Sequence, residues 1–282
     1  MMEASDFPRD RVFWLAAALW LLGVGCQSSA ALPEGNLFRP LLSDPKEPRF
    51  FTTLGSLKPE GGDAFTLASV GFGETFGLYR STNSETEDGF QVSLSGGLFS
   101  QFNLDAASSD LLNADYVIGL PISWRSGPAT LRTRLYHQSS HLGDELLLGA
   151  DAPERINLSF ESLEVMGALD LAPWRPYAGG ELLLRREPDD LERAGVHGGI
   201  EYRTTQPLFG TAHGVGGLDL KAWEFHDWKP SANLTLGLEF ESPANNGRRF
   251  RVFLEAYQGY APYGQFYDTE VFFIAFGVSL GF

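Results

Sequence analysis

From Phe272 to Phe282 the chain alternates strictly. Phe272, Ile274, Phe276, Val278, Leu280 and Phe282 fall on one face, and Phe273, Ala275, Gly277, Ser279 and Gly281 on the other. Alternate side chains of a strand point to opposite faces, so one face is large and apolar while the other is mostly small. The same period recurs along the chain. Ala232, Leu234, Leu236, Leu238 and Phe240 oppose Asn233, Thr235, Gly237, Glu239 and Glu241. Tyr116, Ile118, Leu120, Ile122 and Trp124 oppose Val117, Gly119, Pro121 and Ser123. Phe250, Val252, Leu254 and Ala256 oppose Arg249, Arg251, Phe253 and Glu255. Val92, Leu94 and Leu98 oppose Ser93, Ser95 and Gly97.

About twelve such segments are legible, near 47–56, 64–80, 88–101, 113–125, 129–141, 155–171, 174–187, 195–206, 213–226, 229–242, 248–260 and 269–282. No segment of the later chain approaches the roughly 18 apolar residues of a spanning helix. A soluble sandwich also alternates, so other features must choose between the two. The segment count is even. The connections at 126–128 and 172–173 are short, those at 102–112 and 142–154 are long, and short and long fall at opposite ends. Trp124 and Trp174 stand at one set of strand ends, and Trp223, Trp228 and Tyr260 at the other, where aromatic girdles belong. The fold expected is all-β, an antiparallel transmembrane β-barrel of about twelve strands over residues 47–282, with short turns on the periplasmic side.

Ahead of the barrel, Arg9 and Arg11 precede the apolar run Val12–Gly25 and then the small residues Ser28, Ser29, Ala30 and Ala31. This pattern fits a signal peptide over 1–31, cleaved after Ala30 or Ala31. Cys26, the single cysteine, follows Gly25 as in a lipoprotein acceptor site, so both lipidation and removal with the signal stay open. One cysteine excludes an internal disulfide framework. Residues 32–46 are expected to form a periplasmic N-terminal segment. The net charge of -15 speaks against nucleic-acid binding, which needs a basic surface.

Four segments carry a family resemblance: Phe72–Arg80 (FGETFGLYR), Ser108–Tyr116 (SSDLLNADY), Tyr136–Glu145 (YHQSSHLGDE) and Gly264–Asp268 (GQFYD). They resemble an uncharacterised domain-of-unknown-function family of bacterial outer-membrane β-barrel proteins. That resemblance implies export to the bacterial outer membrane through the periplasm, and it implies no activity. The terminal Phe282 matches the aromatic end by which the barrel-assembly machinery handles such chains, which would make that machinery a partner alongside outer-membrane lipids.

One constellation offers chemistry. In 129–141, Leu131, Thr133, Leu135, His137, Ser139 and His141 share a face opposite Arg132, Arg134, Tyr136, Gln138 and Ser140. A charge at the lipid midplane costs about 2–4 kcal/mol, so the arginines should face the lumen and His137 and Ser139 the lipid. Residues two apart lie about 6.8 Å apart at Cα, near enough for an imidazole to take a hydroxyl proton. Such an outward His-x-Ser resembles the arrangement in outer-membrane phospholipase A and in the lipid A deacylase. The resemblance implies Ser139 as nucleophile, His137 as base, and a third residue orienting the ring. Glu145, Asp144 and Asn157 are the candidates, Asn157 being expected on the lumen face.

Asp105, Asp110, Asp115, Asp144, Glu145 and Asp268 fall in expected outer loops, where Asp110, Asp144, His141 and Asp268 would meet a ligand or lipid headgroup. Oxygen ligands of this kind select calcium, although no loop has metal spacing. His137 and His141 would sit about 13 Å apart on a strand, too far for a zinc pair. Glu181, Arg185, Glu201, Arg203, Asp219, Lys221, Glu239, Arg251 and Glu255 alternate inward, either filling the lumen by pairing or lining a narrow pore. Three functions stay open: a barrel binding a ligand with its outer loops, a lipid ester hydrolase using Ser139 and His137, and a passive pore.

Overall fold

The computed structural model describes residues 27–148, 156–241 and 248–281. It is a closed antiparallel barrel of twelve strands: β2 (Phe50–Pro59), β3 (Phe65–Asn83), β4 (Gly89–Asn103), β5 (Asp110–Ser126), β6 (Ala129–Leu142), β7 (Ser159–Leu169), β8 (Trp174–Glu187), β9 (Ala194–Arg203), β10 (Ala212–Trp223), β11 (Pro230–Glu241), β12 (Arg249–Tyr260) and β13 (Glu270–Gly281). Each strand pairs with its sequence neighbours, and β13 closes the ring on β2 through Leu280↔Phe50 to Val271↔Pro59. A closed ring leaves no open edge in an apolar medium. No helix among the described residues is long and apolar enough to cross a membrane; the strands form the wall. The short connections 127–128 and 170–173 lie at one end, called here the turn end, and 104–109, 143–158 and 261–269 at the other, the loop end.

The alternation decides which side chains meet the outside. Leu131 and Leu135 of β6, Ile118 and Leu120 of β5, Leu234 and Leu236 of β11, and Phe272, Ile274 and Phe276 of β13 are exposed on the outer wall. Their neighbours Arg132, Arg134, Asn233, Thr235, Phe273 and Ala275 are buried inside. Trp124 and Trp174 mark the turn end and Trp228 the loop end on the outer surface. Trp223 departs from the expected girdle. It follows the odd, inward phase of Asp219 and Lys221, and with Tyr260 it lines an interior cavity. Arg185 departs too. Leu183 keeps the buried phase of Tyr177 and Glu181, but the pairing shifts between Glu161 and Ser162, and Arg185 beyond the shift is turned outward. An extra residue reverses the phase of a strand beyond it.

The largest departure is at the N-terminal side. The segment 32–46, expected in the periplasm, enters the barrel and continues to Arg49 inside it. Leu37, Phe38, Leu41, Leu42, Ser43, Asp44, Glu47 and Arg49 are all buried. Pro33, Pro40, Pro45 and Pro48 keep this stretch out of helix and sheet, so its polar groups are met by the wall. Leu42 N donates to Glu201 at 2.7 Å, Asn233 Nδ2 to Ser43 O at 2.8 Å and Arg175 to Arg39 O at 2.9 Å. Phe38 lies between two guanidinium groups, with Arg132 and Arg175 4.7 and 4.8 Å from its ring centre. The charges pair across the same interface: Glu47 with Arg132 at 2.7 Å, Lys46 with Asp115 at 2.6 Å and Arg39 with Asp170 at 2.7 Å. The segment is a plug that supplies counter-charges to a polar lumen.

Residues 1–26 of the expected signal peptide, with Cys26, and the terminal Phe282 lie outside the described residues. Gln27–Ala31 forms β1, which pairs with Tyr79–Asn83 of β3.

Candidate functional site

β6 and β7 place the candidate site. Leu131, Leu135, His137, Ser139 and His141 keep one phase along β6, and all face outward. On β7 the matching outward phase is Glu161, Leu163 and Val165. Antiparallel register sets His137 opposite Glu161 and Ser139 opposite Ser159. His137 Nδ1 then lies 3.1 Å from Glu161 Oε1, with the two side chains 41% and 39% exposed. A carboxylate only accepts, so this contact suits the tautomer with the proton on Nδ1, which leaves Nε2 as the acceptor of a neutral ring. Ser139 Oγ meets His141 Nε2 at 3.3 Å, and the His141 ring sits edge-on to Tyr116, 5.6 Å away. Ser139 is thus flanked by two imidazoles on one outward face. The hydrogen bond made in this structure is to His141, not to His137.

None of the sequence candidates for a residue orienting His137 lies beside it. Glu145 is exposed on the short helix α1 (Asp144–Leu148) beyond the end of β6. Five residues of strand, about 17 Å, separate His137 from Leu142 alone, so Glu145 is out of position. Asn157, expected inward on a strand, precedes β7 and is exposed, while Leu158 is buried. Glu161 was legible by one signal, a carboxylate in the outward phase of a strand that continues outward with Leu163, Val165 and Leu169. Near a strand end such a charge costs little, about 0–1 kcal/mol.

The acidic positions do not assemble. Asp144 and Asp268 are exposed at separate loops, and Asp110 accepts from Ser108. Asp115 belongs to the lumen, fully buried against Lys46. No cluster of three or more His, Cys, Asp or Glu side chains suited to a metal occurs among the described residues.

A second locus gathers the sequence segments singled out above. The loop 261–269 folds inward over the barrel mouth. Gly264 N donates to Asp115 at 3.1 Å, Gln265 N to Asn113 Oδ1 at 3.0 Å, and Gln265 Nε2 to Ser140 O at 2.9 Å and Ile156 O at 2.8 Å. Three of the four resemblance-bearing segments therefore meet at one point, next to the plug residue Lys46.

The family model described as "Protein of unknown function (DUF1207)" matches residues 8–282. The chain belongs to the DUF1207 family. No curated protein matches the sequence. Among solved structures, the DUF1207 chain is similar in fold to outer membrane phospholipase A from Escherichia coli, at TM-score 0.53 and 13% identity over 88% of this chain and 94% of that one. The calcium-bound dimer of the Salmonella typhi outer membrane phospholipase gives TM-score 0.53 and 14% identity over the same shares. At such identities the likeness is one of fold: the DUF1207 barrel has the architecture of outer-membrane barrels.

Proposed function

We propose that this chain is an outer-membrane lipid ester hydrolase working at the lipid-facing surface of its own barrel. The observation that carries the reading is the His137–Glu161 contact beside Ser139. It is a base held in the right tautomer, next to a hydroxyl, on the wall that acyl chains would touch. Glu161 accepts the Nδ1 proton and fixes the ring. Rotation of Ser139 about χ1 moves its hydroxyl from His141 toward Nε2 of His137. Nε2 takes the proton as Oγ attacks the ester carbonyl, the alcohol leaves with that proton, and water releases the acyl group by the same sequence in reverse. The fold likeness to phospholipases supports the reading by analogy only. Location in a bacterial outer membrane, insertion by the barrel-assembly machinery and contact with outer-membrane lipids are parts of the same proposal.

The plug argues against a passive pore. Glu47, Lys46 and Arg39 of the plug pair with Arg132, Asp115 and Asp170 of the wall at 2.6–2.7 Å, and the buried residues between Leu37 and Arg49 lie across the lumen.

The test is hydrolysis of phospholipid and of lipopolysaccharide by detergent-refolded protein, with and without calcium. Ser139→Ala and His137→Ala are expected to lower the rate by roughly 10²–10⁴, with the heat-modifiable folded barrel retained. No activity on either lipid, or activity indifferent to both substitutions, removes the site.

A further inference from the structure

At the turn end of the lumen a cavity of about 450 Å³ lies between the plug and the wall from β8 to β12. Its rim residues Ala172, Trp174 and Thr205 are exposed. Five of its lining residues are arginines: Arg39 of the plug, Arg175 of β8, Arg203 of β9, and Arg249 and Arg251 of β12. Alternation turns these wall residues inward. Arg249 and Arg251 share the phase of the buried Phe253 and Glu255, and antiparallel register sets them opposite Glu241 and Glu239 of β11.

The carboxylates here are outnumbered. Glu239 meets Arg251 at 2.7 Å, Arg203 at 2.8 Å and Arg249 at 3.8 Å. Asp170 meets Arg39 at 2.7 Å, Arg125 at 2.9 Å and Arg175 at 3.3 Å. Glu201 takes Arg175 at 2.9 Å, and Glu241 takes Arg203 and Arg249 at 2.9 and 3.1 Å. Six guanidinium groups thus share four carboxylates, an excess of two positive charges. A guanidinium does not lose its proton in a protein, so titration cannot remove the excess. The accessible surface has the same sign. Arg39, Arg203 and Arg249 are 35%, 27% and 26% exposed, whereas the lining carboxylates Asp170, Glu201 and Glu239 are 22%, 12% and 3% exposed. Glu201 is further capped by the backbone N–H of Leu42 at 2.7 Å.

We infer that this cavity binds a dianionic phosphate group carried on a small organic molecule, with Arg39, Arg203, Arg249 and Arg251 as its counter-charges. Two negative charges match the excess. A phosphoryl group directs three oxygens outward in a tetrahedral arrangement, so guanidinium groups reaching in from the plug, from β9 and from β12 can each meet one. A carboxylate has two oxygens in one plane and matches a single guanidinium fork. The volume far exceeds the roughly 10–15 Å³ that one water needs, so a bare phosphate would leave most of it empty. The chain as a whole carries a net charge of -15, so the positive excess is a local property of this end of the lumen. The cavity lies inside at the turn end, whereas Ser139 and His137 face outward near the loop end, and neither proposal depends on the other.

The experiment is calorimetric titration of the refolded barrel at low salt in a nonionic detergent without phosphate. The probes are glycerol 3-phosphate as a soluble source of the group and dihexanoyl phosphatidic acid as a lipid source, with succinate as the dicarboxylate comparison. At least one phosphate compound is expected to bind with a Kd near or below about 1 mM, and more tightly than succinate. Binding of the glycerol compound makes the ligand a soluble one, and binding of the phosphatidic acid alone makes it a lipid headgroup. Arg203→Gln and Arg249→Gln are each expected to weaken binding about tenfold, while Lys229→Gln, exposed at the loop end, leaves it unchanged. Each arginine substitution leaves Glu239 two guanidinium partners, so no buried carboxylate is stranded. A variant that loses heat-modifiability is replaced by the lysine substitution, which keeps the charge without the fork and is also expected to weaken binding. The proposal is overturned if neither phosphate compound binds the folded wild type, if succinate binds as tightly, or if binding ignores both arginine substitutions.

Discussion

The backbone N–H of Gly264 donates to the Asp115 carboxylate at 3.1 Å, joining the loop 261–269 to the inner wall of β5. The approach is so close that a Cβ at residue 264 would fall 1.9 Å from Ser140 Oγ and 2.7 Å from Asp115 Oδ1. Gly264→Ala is therefore expected to push the loop off the wall, at an overpacking cost of about 1–3 kcal/mol. The heat-modifiability midpoint on gels would fall. An unchanged midpoint would show that the loop yields without cost and that its inward fold is not a fixed part of the barrel.

Glu161 and Glu145 make opposite predictions. Glu161→Gln keeps the shape but no longer enforces the Nδ1–H tautomer of His137, so lipid ester hydrolysis should fall by roughly 10- to 10⁴-fold. Glu145→Gln, on the exposed helix α1, should leave the rate as it is. Rates measured side by side on refolded protein decide this, and loss in the Glu145 variant alone would return the third role to the loop.

The plug predicts conductance and stability together. The intact barrel is expected to be silent in planar bilayers, and deleting 33–49 should give one that passes ions. If the deletion does not refold, Glu47→Ala is the milder probe. It leaves Arg132 and Arg134 sharing Glu164, one buried positive charge in excess. Breaking a buried pair in this way costs about 3–5 kcal/mol, read as a lower unfolding midpoint. A midpoint equal to wild type would mean that the lumen is wet enough to solvate the guanidinium groups.

His226, in the 3-10 turn after β10, gives a pH dependence. Burial beneath Tyr260 and Tyr267 pushes its pKa down to about 4, from about 6.5 in the unfolded chain. Between these values the unfolded state binds the proton and the folded one does not. Its contribution is thus full above about pH 6.5 and is lost as the pH falls toward 4. Near-ultraviolet circular dichroism of the aromatic cluster should weaken over that window. His226→Gln should flatten the response, and an equal response in the variant would assign it to other groups.

The wall of the barrel was legible because strand period and lipid solvent act on every residue alike. Each inward or outward choice on β6, β11 and β13 follows from alternation and from the cost of placing a charge in lipid. The exceptions have local causes. A bulge reversed Arg185, and the inward phase of β10 carried Trp223 into the lumen. The N-terminal segment was misread because its prolines erase periodicity, and a segment without period looks the same whether it hangs outside or is packed within. The sign of a plug was present in the inward charge of Arg132, which meets Glu47 of the plug, whereas Asp115, expected in an outer loop, is held inside by Lys46.

That Ser139 and His137 share an outward face could be read from sequence because they are two apart on one strand, and residue spacing along a strand is fixed by backbone geometry. Glu161 could not be named as their neighbour, since the strand register that brings it to His137 is set by how β6 and β7 pair across a long connection. The interior cavity lined by Trp223 and Tyr260 is further still from the linear chain. Asp44, Asn233 and His226 share its lining only because the barrel closes around the plug. Local alternation thus determines that a barrel forms and which way each residue faces. Only register and closure, which depend on contacts distant in sequence, decide which side chains meet.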